Sequence, residues 1–425
     1  MGKADIVIVG AGPAGIAAAC AAAEAGARVR VIDDNPAGGG QIWRAGRKGA
    51  ASRRAGHWMA RFKQCGAELM AATQVVAAVK PGVLLVESRG SVAEMAFEKL
   101  ILSTGARELF LPFPGWTLPG VMGVGGLQAL AKGGMPIAGK RVVIAGSGPL
   151  LLVAAHLRAE GAKVVLIAEQ RGSLLRFGLG LLGSPRKGVQ AIGLKMKLMG
   201  VPYRTTSWVT EAEPCGEGLR VTVGRGGNPE RVDCDFLAYS FGLVANVELP
   251  AALGCVLTAD GLVQVDGQQR TSVAGVYAAG EITGIGGVDK SLAEGLVAGT
   301  AAAGGDPAAL LAKRDAAARF VARLSATFAL REEVKRLATP ETIVCRCEDV
   351  RLGQLEGWSS AREAKLQTRC GMGACQGRVC GPILRHLKGW TDASVRPPIF
   401  AAPAKALLPM ADEGEAGARV AAKAD

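Results

Sequence analysis

With 425 residues, 49% of them apolar, the chain can bury several domain cores, and general disorder is excluded. Its 60 glycines beside 4% aromatics suit a nucleotide-binding α/β protein rich in tight turns. The formal charge of +13 has local footing only at Arg44, Arg47, Lys48, Arg53 and Arg54, with no aromatics interleaved, so nucleic acid is not the expected partner and an acidic partner protein suits the basic surface equally.

The chain is organised around its start, Asp5 to Asp33. The apolar run Ile6 to Val9 predicts a strand buried on both faces, leading into Gly10-x-Gly12-x-x-Gly15 and an alanine-rich helix. Gly10 turns the chain, Gly12 lets the backbone approach a pyrophosphate, and Gly15 lets helix and strand pack closely. The phosphates then sit at the helix start, Pro13 and Ala14, where the N–H groups after the proline are free. A second strand, Arg28 to Ile32, ends in Asp33, with Asp34 beside it, where an acid accepts the adenosine ribose hydroxyls. Ile6 to Ala23 carries no charge and could pass for a signal peptide or membrane helix, but its glycines and Pro13 argue against that. No integral membrane segment and a cytoplasmic location are expected, with peripheral contact at the inner membrane face, through an electron acceptor, as the variant.

Next comes the loop Gly38 to Arg44, containing Gly40 and Gln41, where a cofactor running away from the first helix would be met. Val75 to Val79 and Val83 to Glu87 predict a hairpin around Pro81-Gly82. Leu100 to Arg107 reads as a buried strand opening into a small-residue turn that includes Thr104 and Gly105. Residues 112–126, PFPGWTLPGVMGVGG, break every periodic pattern and mark a crossover between domains.

A second nucleotide-type unit follows: strand Arg141 to Ala145, GSGPLL, a helix to Glu160, strand Lys163 to Ile167, and Glu169. Gly146 and Gly148 can make the turn and the close approach, but Leu151 holds the third glycine position and should push helix and strand apart. Glu169 favours NAD over NADP if a dinucleotide binds there, and NAD(H) or another adenine nucleotide stands open against a site kept for structure. Tyr203 to Leu237 predicts a β-meander with a surface loop over Gly216 to Glu230. Arg270 to Gly287 repeats the pattern of strand, glycine turn and acid at Gly280 and Glu281, with a helix from about Lys290, and suits the far end of the cofactor grasped at Gly10. A helical segment from Pro307 to Arg336 leads to the last module.

That module holds Cys345-x-Cys347 and, further on, Cys375-x4-Cys380. Four thiolates in two close pairs can close on one metal centre, and the glycines around Cys375 leave N–H groups free for sulfur. Zinc is the structural rival, although paired zinc cysteines usually stand two to four residues apart, so Cys-x-Cys leans toward iron and sulfur. Cys370 is read as a spare; Cys20, Cys65, Cys215, Cys234 and Cys255 stand alone as core or surface thiols. Ten cysteines without a secretion signal point to metal or redox use, and the three histidines, His57, His156 and His386, share no motif. The tail from Val395 is expected to lie extended over the body or fray.

Together these residues resemble the flavoprotein A subunits of heteromeric amino-acid and opine dehydrogenases: opine oxidase, D-hydroxyproline dehydrogenase and the B subunit of hydrogen cyanide synthase. The carriers are VGAGPAG (Val9 to Gly15), GGQIWR (Gly39 to Arg44), STGAR (Ser103 to Arg107), PFPGWTLPGV (Pro112 to Val121), AGSGPLLLVAAHL (Ala145 to Leu157), GVYAAGE (Gly275 to Glu281), and CRCEDV with GMGACQGRVC. The last pair is similar to the 2Fe-2S domain named for bacterioferritin-associated ferredoxin.

The resemblance implies an α/β, two-dinucleotide-binding-domain flavoprotein of the glutathione-reductase-like kind with a small C-terminal four-cysteine 2Fe-2S domain. The implied divisions are 1–118 and 245–305 for the FAD-binding domain, 119–244 for an inserted NAD-binding-like domain, 306–341 for a helical linker, 342–392 for the 2Fe-2S domain and 393–425 for the tail. It implies FAD held by Gly10, Gly12, Gly15, Asp33, Gln41, Arg107 and the Gly280-Glu281 turn, where relatives mostly have Asp in place of Glu281, and a cluster on Cys345, Cys347, Cys375 and Cys380. The implied partners are a catalytic, D-amino-acid-oxidase-like flavin protein and a small ferredoxin-like one, with an amino acid or opine as substrate. Disulfide reductases of this fold carry a Cys-x4-Cys just after the ribose acid or a Cys-x2-Cys in the second dinucleotide domain; neither region of this sequence contains such a pair, so electrons are expected to leave through the iron-sulfur centre. The rivals are a free-standing NAD(P)H-dependent reductase and a nucleotide-binding assembly component without turnover. No base or substrate clamp can be assigned.

Overall fold

The computed structural model describes residues 4–44, 52–172, 193, 196–224, 229–391 and 395–404. Arg47 and Lys48 of the basic cluster, part of the predicted surface loop and the end of the tail lie outside them.

Two parallel sheets organise the chain. In the first, the strand order is Val276–Ala278, Lys99–Leu102, Ile6–Val9, Val29–Ile32 and Glu68–Met70, all parallel. Ile6–Val9 lies in the middle, so both its faces are covered and it reads as an unbroken apolar run. On one face the helix Pro13–Glu24 packs against Gly287–Ala302, which begins earlier than the Lys290 expected from sequence. The two helices approach closely because small residues meet: a Cβ on Gly295 or Gly299 would stand 2.2 Å from the carbonyl oxygen of Ala14 or Ala18. The amphipathic helix Arg53–Gln64, capped by the Ser52 side chain, adds Ala55, Trp58 and Phe62 to that layer. On the other face lies an antiparallel sheet of Thr73–Lys80, Val83–Ser88 and Ser91–Ala96, so the predicted hairpin gains a third strand.

The second parallel sheet runs Tyr203–Thr205, Lys163–Glu169, Arg141–Gly146, Phe236–Ser240 and Val121–Gly123. The predicted meander divides between the edge strand of this sheet and an antiparallel sheet of Trp208–Cys215, Gly218–Gly224 and Glu230–Cys234. The continuous helix expected up to Glu160 is instead a 3-10 turn, Pro149–Val153, followed by a short α-helix, Ala154–Ala159. Leu151 is the physical reason. In the first unit Gly15 lies so close under the turn that a Cβ would stand 1.8 Å from the Gly10 carbonyl oxygen, whereas Leu151 needs space and takes it in the core, fully buried.

The cysteine module is short strands and helices: Ile343–Cys345 paired with Val350–Arg351, then Ala361–Thr368 and Cys380–Lys388. It shares one core with the second unit, in which Val344, Leu355 and Ile383 join the cluster that contains Phe113, Trp116 and Tyr239. The aperiodic stretch from Pro112 makes the join. Trp116 Nε1 donates to the Ile343 carbonyl at 2.6 Å, and Gly115, at φ +86°, has no room for a Cβ beside the Ala212 carbonyl. The tail returns to the first unit: Ile399 is buried and its N–H bonds the Val76 carbonyl at 2.7 Å. Among the described residues, no helix is long and apolar enough to cross a membrane.

Candidate functional site

The first glycine turn has the shape a dinucleotide requires. Gly10, at φ +103°, passes so close to Ser103 that a Cβ would stand 2.3 Å from the Ser103 carbonyl oxygen. Ser103 fixes the turn by donating its hydroxyl to the Gly10 carbonyl at 2.8 Å. Gly12 is different: where its Cβ would be there is nothing within 4 Å, and it caps the helix that begins with Pro13. A phosphate can therefore approach that backbone and meet the free N–H groups of the first helical turn. The loop from Gly38 crosses this place, with the Gly39 N–H on the Ala11 carbonyl at 2.7 Å, Gly40 against Gly12, and Gln41 exposed. Asp33 is nearly buried; one carboxylate oxygen accepts the Ala11 N–H at 2.5 Å and the other accepts the Asn35 N–H at 2.9 Å. Asp34 is exposed and bonds the Asn35 amide at 2.7 Å.

The second turn of this unit stands against the same helix. Gly280, at φ +91°, lies so near Ala14 that a side chain would collide with it. Beneath it, the buried pair Lys290 and Glu294, 2.7 Å apart, ties down the turn: Lys290 Nζ donates to the Gly280 carbonyl at 2.9 Å and Glu294 accepts the Gly280 N–H at 2.9 Å. Sequence reasoning missed this pair, whose i,i+4 spacing was its only signal. Glu281 folds back onto its own loop, accepting the N–H groups of Gly286 and Gly287 at 3.1 and 2.7 Å, and burial raises its carboxyl pKa. The longer side chain thus bonds to the backbone of the turn.

The second unit's turn is formed but covered. Gly146 is as tightly placed as Gly10, against the Ser240 carbonyl, and Glu169, fully buried, accepts the Gly148 N–H at 2.7 Å and the Arg171 N–H at 3.0 Å. Burial pushes the Glu169 carboxyl up to about 7. Where Gly12 faces open space, the corresponding side of Gly148 is met by the Phe328 ring at 3.5 Å. The segment after helix Ala308–Thr327 is bonded in place: Ser147 Oγ donates to the Phe328 carbonyl at 3.3 Å, Gln170 Nε2 to the Ala329 carbonyl at 3.0 Å, and the Arg331 N–H to Gln170 Oε1 at 2.9 Å. No sequence signal linked residues this far apart.

The cysteines divide differently from the expected four. Cys345, Cys370 and Cys380, all buried, have sulfur atoms within 4.8 Å of one another, while Cys347 lies in hydrogen-bond contact with Cys375. Cys370, read from sequence as a spare, therefore stands inside the cluster. The reason is local: Arg369 and Gly371 both take positive φ, turning the chain so that Cys370 faces inward, and the Gly371 N–H points at Cys345 Sγ at 3.5 Å. Hydrogen bonds from Cys370 and Cys380 lower the Cys345 pKa, favouring its thiolate, and those same contacts raise that of Cys380. A buried all-thiol donor set with N–H groups directed at sulfur fits a soft metal ion or an iron-sulfur cluster.

Arg107 lies between the two centres. It follows the turn at Thr104 and Gly105, which Asn246 holds by accepting the Thr104 hydroxyl at 2.7 Å through its carbonyl and bonding the Gly105 carbonyl at 3.0 Å. The Arg107 guanidinium pairs with Glu248 at 3.0 Å, bonds Asn246 Oδ1 at 2.7 Å, and donates to the carbonyl of Arg378, inside the cysteine loop, at 3.0 Å. Asn246 and Glu248 were not singled out in the sequence because no motif contains them, and Arg378, inside GMGACQGRVC, was quoted there without a role.

The pyridine nucleotide-disulphide oxidoreductase model matches residues 4–302. The opine oxidase A subunit of Rhizobium meliloti is 34% identical over 93% of this chain and 96% of its own length. Hydrogen cyanide synthase subunit HcnB of Pseudomonas aeruginosa is 32% identical over 88% of this chain and 90% of its own. Among solved structures, T. acidophilum thioredoxin reductase is 26% identical with a TM-score of 0.57, over 71% of this chain and 98% of that one. L-proline dehydrogenase from P. horikoshii, 20% identical, shares the fold over 96% of this chain and 79% of that one, with a TM-score of 0.67. The chain belongs to the pyridine nucleotide-disulphide oxidoreductase family, among the relatives of the opine oxidase A subunit, and is an FAD-dependent oxidoreductase.

Proposed function

We propose that this chain is the electron-carrying component of a heteromeric dehydrogenase that oxidises the C–N bond of an amino acid or opine. The bond would be oxidised on a partner flavin subunit, and this chain would take the electrons onward through FAD and a 2Fe-2S cluster to an acceptor. Bound FAD accepts an electron pair and releases electrons singly, and a 2Fe-2S cluster carries one electron at a time. The chain's own residues hold and orient these groups: Gly12 and the helix start at the pyrophosphate, Asp33 at the ribose, Gly280 and Glu281 at the far end, and the cysteine loop around the metal. The lack of an assignable base or substrate clamp in the sequence agrees with substrate chemistry on a partner. A small ferredoxin-like protein is a second candidate partner.

The observation that carries this reading is Arg107, which bonds the cysteine loop from the short strand Ala106–Glu108, directly after the turn that lies beside the first glycine turn. The cover over Gly148 argues against the free-standing NAD(P)H reductase, because a dinucleotide there would have to displace Phe328. The test against a purely assembling role is Cys375→Ala in the complex with its copurifying partner. Loss of electron transfer to an artificial acceptor, with FAD content and assembly retained, supports the proposal; unchanged turnover sinks it.

A further inference from the structure

Five thiols surround a centre that needs four, and the surplus is not at the margin. Cys370 is as buried as Cys380, and the sulfurs of Cys345, Cys370 and Cys380 are mutually within 4.8 Å. Two sulfurs on one tetrahedral metal ion, each at about 2.3 Å, stand about 3.8 Å apart, so side-chain shifts of about an ångström bring any two of these three to the spacing of shared ligands. A cleft lined by Cys370, Gly371, Gly377, Cys380 and Gly381 opens beside them. Glycine on both sides leaves room: the side of Gly371 that a Cβ would fill faces Cys380 Sγ at 3.7 Å and Gly377 Cα at 3.6 Å.

We propose that Cys370 is a reserve ligand that takes the place of Cys380 on the buried metal position. Cys370 loses its thiol proton to solvent as its sulfur–metal bond forms, and Cys380 takes up a proton as its own bond breaks, so charge is conserved and no electron moves. Cys347 and Cys375, paired with each other on the outer side, keep the other two places. The exchange protects the centre from loss of a single ligand. The inference rests on the four-thiolate reading of the cofactor site.

The experiment uses the full chain with its copurifying partner, isolated anaerobically, and reads iron, acid-labile sulfide and FAD per chain together with visible circular dichroism. Wild type and Cys370→Ala should carry equal iron. Cys380→Ala should keep at least about half of it, with an altered dichroism spectrum, and Cys370→Ala/Cys380→Ala should fall below about a tenth. FAD content and thermal melts report whether each variant folds. Iron loss in Cys380→Ala as complete as in the double variant, with FAD retained, overturns the proposal. If Cys380→Ala does not fold, Cys380→Val decides by the same iron readout, since valine offers no ligand atom. Wild-type protein without iron or sulfide instead overturns the cluster reading beneath it, which keeps the two failures distinct.

Discussion

The Nε of Arg107 lies 3.0 Å from the carbonyl oxygen of Arg378, joining the short strand Ala106–Glu108, which pairs with Leu243–Ala245, to the middle of the cysteine loop. Arg107 also neutralises Glu248, and both side chains are largely shielded from water. Removing the guanidinium takes a donor from two backbone carbonyls and leaves that carboxylate only its longer, 3.8 Å pairing with Arg378, a loss of about 1–3 kcal/mol. Arg107→Ala should therefore melt several degrees lower, and reduction of the metal centre should slow more than reduction of the flavin. Stopped-flow traces at the two absorption bands check this, and equal slowing of both would place Arg107 in a structural role alone.

Gly12 and Gly15 separate binding from folding. Gly12→Ala adds a methyl group into open space, at φ −76°, which alanine adopts freely. It should fold with an unchanged melting temperature as apoprotein and bind FAD at least about tenfold more weakly, because the methyl occupies the pyrophosphate's approach. Gly15→Ala must push a backbone carbonyl aside and should cost about 3 kcal/mol or more. Equal damage from both substitutions would remove the assignment of Gly12 to the phosphates.

Glu108 gives a pH signature. Its Oε1 accepts the Gly126 N–H at 3.1 Å at the start of helix Val124–Lys132, its Oε2 is buried without a hydrogen-bond partner among the described residues, and burial pushes the carboxyl up from 4.5 to about 7. A pKa raised on folding means that the native state holds the proton more tightly, so the contribution is full below pH 4.5 and is lost as pH rises through 7. Relative to Glu108→Gln, wild type should lose up to about 3 kcal/mol across that window and stay level above it. Denaturant titrations at a series of pH values measure the difference.

The covered second turn predicts that NADH binds weakly or not at all. Calorimetry on the purified chain should give no heat at millimolar NADH, whereas Phe328→Gly, which uncovers Gly148, should bind measurably. Tight binding to wild type would return the free-standing reductase to first place.

The glycine turns and the parallel strands were legible in the sequence because each follows from a local requirement on backbone shape. Leu151 was legible as a departure, although its effect proved to be a 3-10 turn. What the sequence could not supply came from distant partners. Trp116 reaches Ile343, Phe328 covers Gly148, and Arg107 meets Arg378, each pairing residues far apart in the chain with no shared motif. The place of Cys370 beside Cys345 and Cys380 was missed for a related reason: spacing ranks cysteines by motif, while the turn between Arg369 and Gly371 decides which of them face inward.

The most direct test is the visible spectrum of the anaerobically purified protein, alone and with its copurifying partner, before and after addition of NADH or candidate amino acids and opines. Flavin and iron-sulfur bands that bleach with a substrate only when the partner is present are the predicted result. Bleaching of the isolated chain by NADH, or a spectrum with no iron-sulfur absorption, would contradict the electron-carrying role.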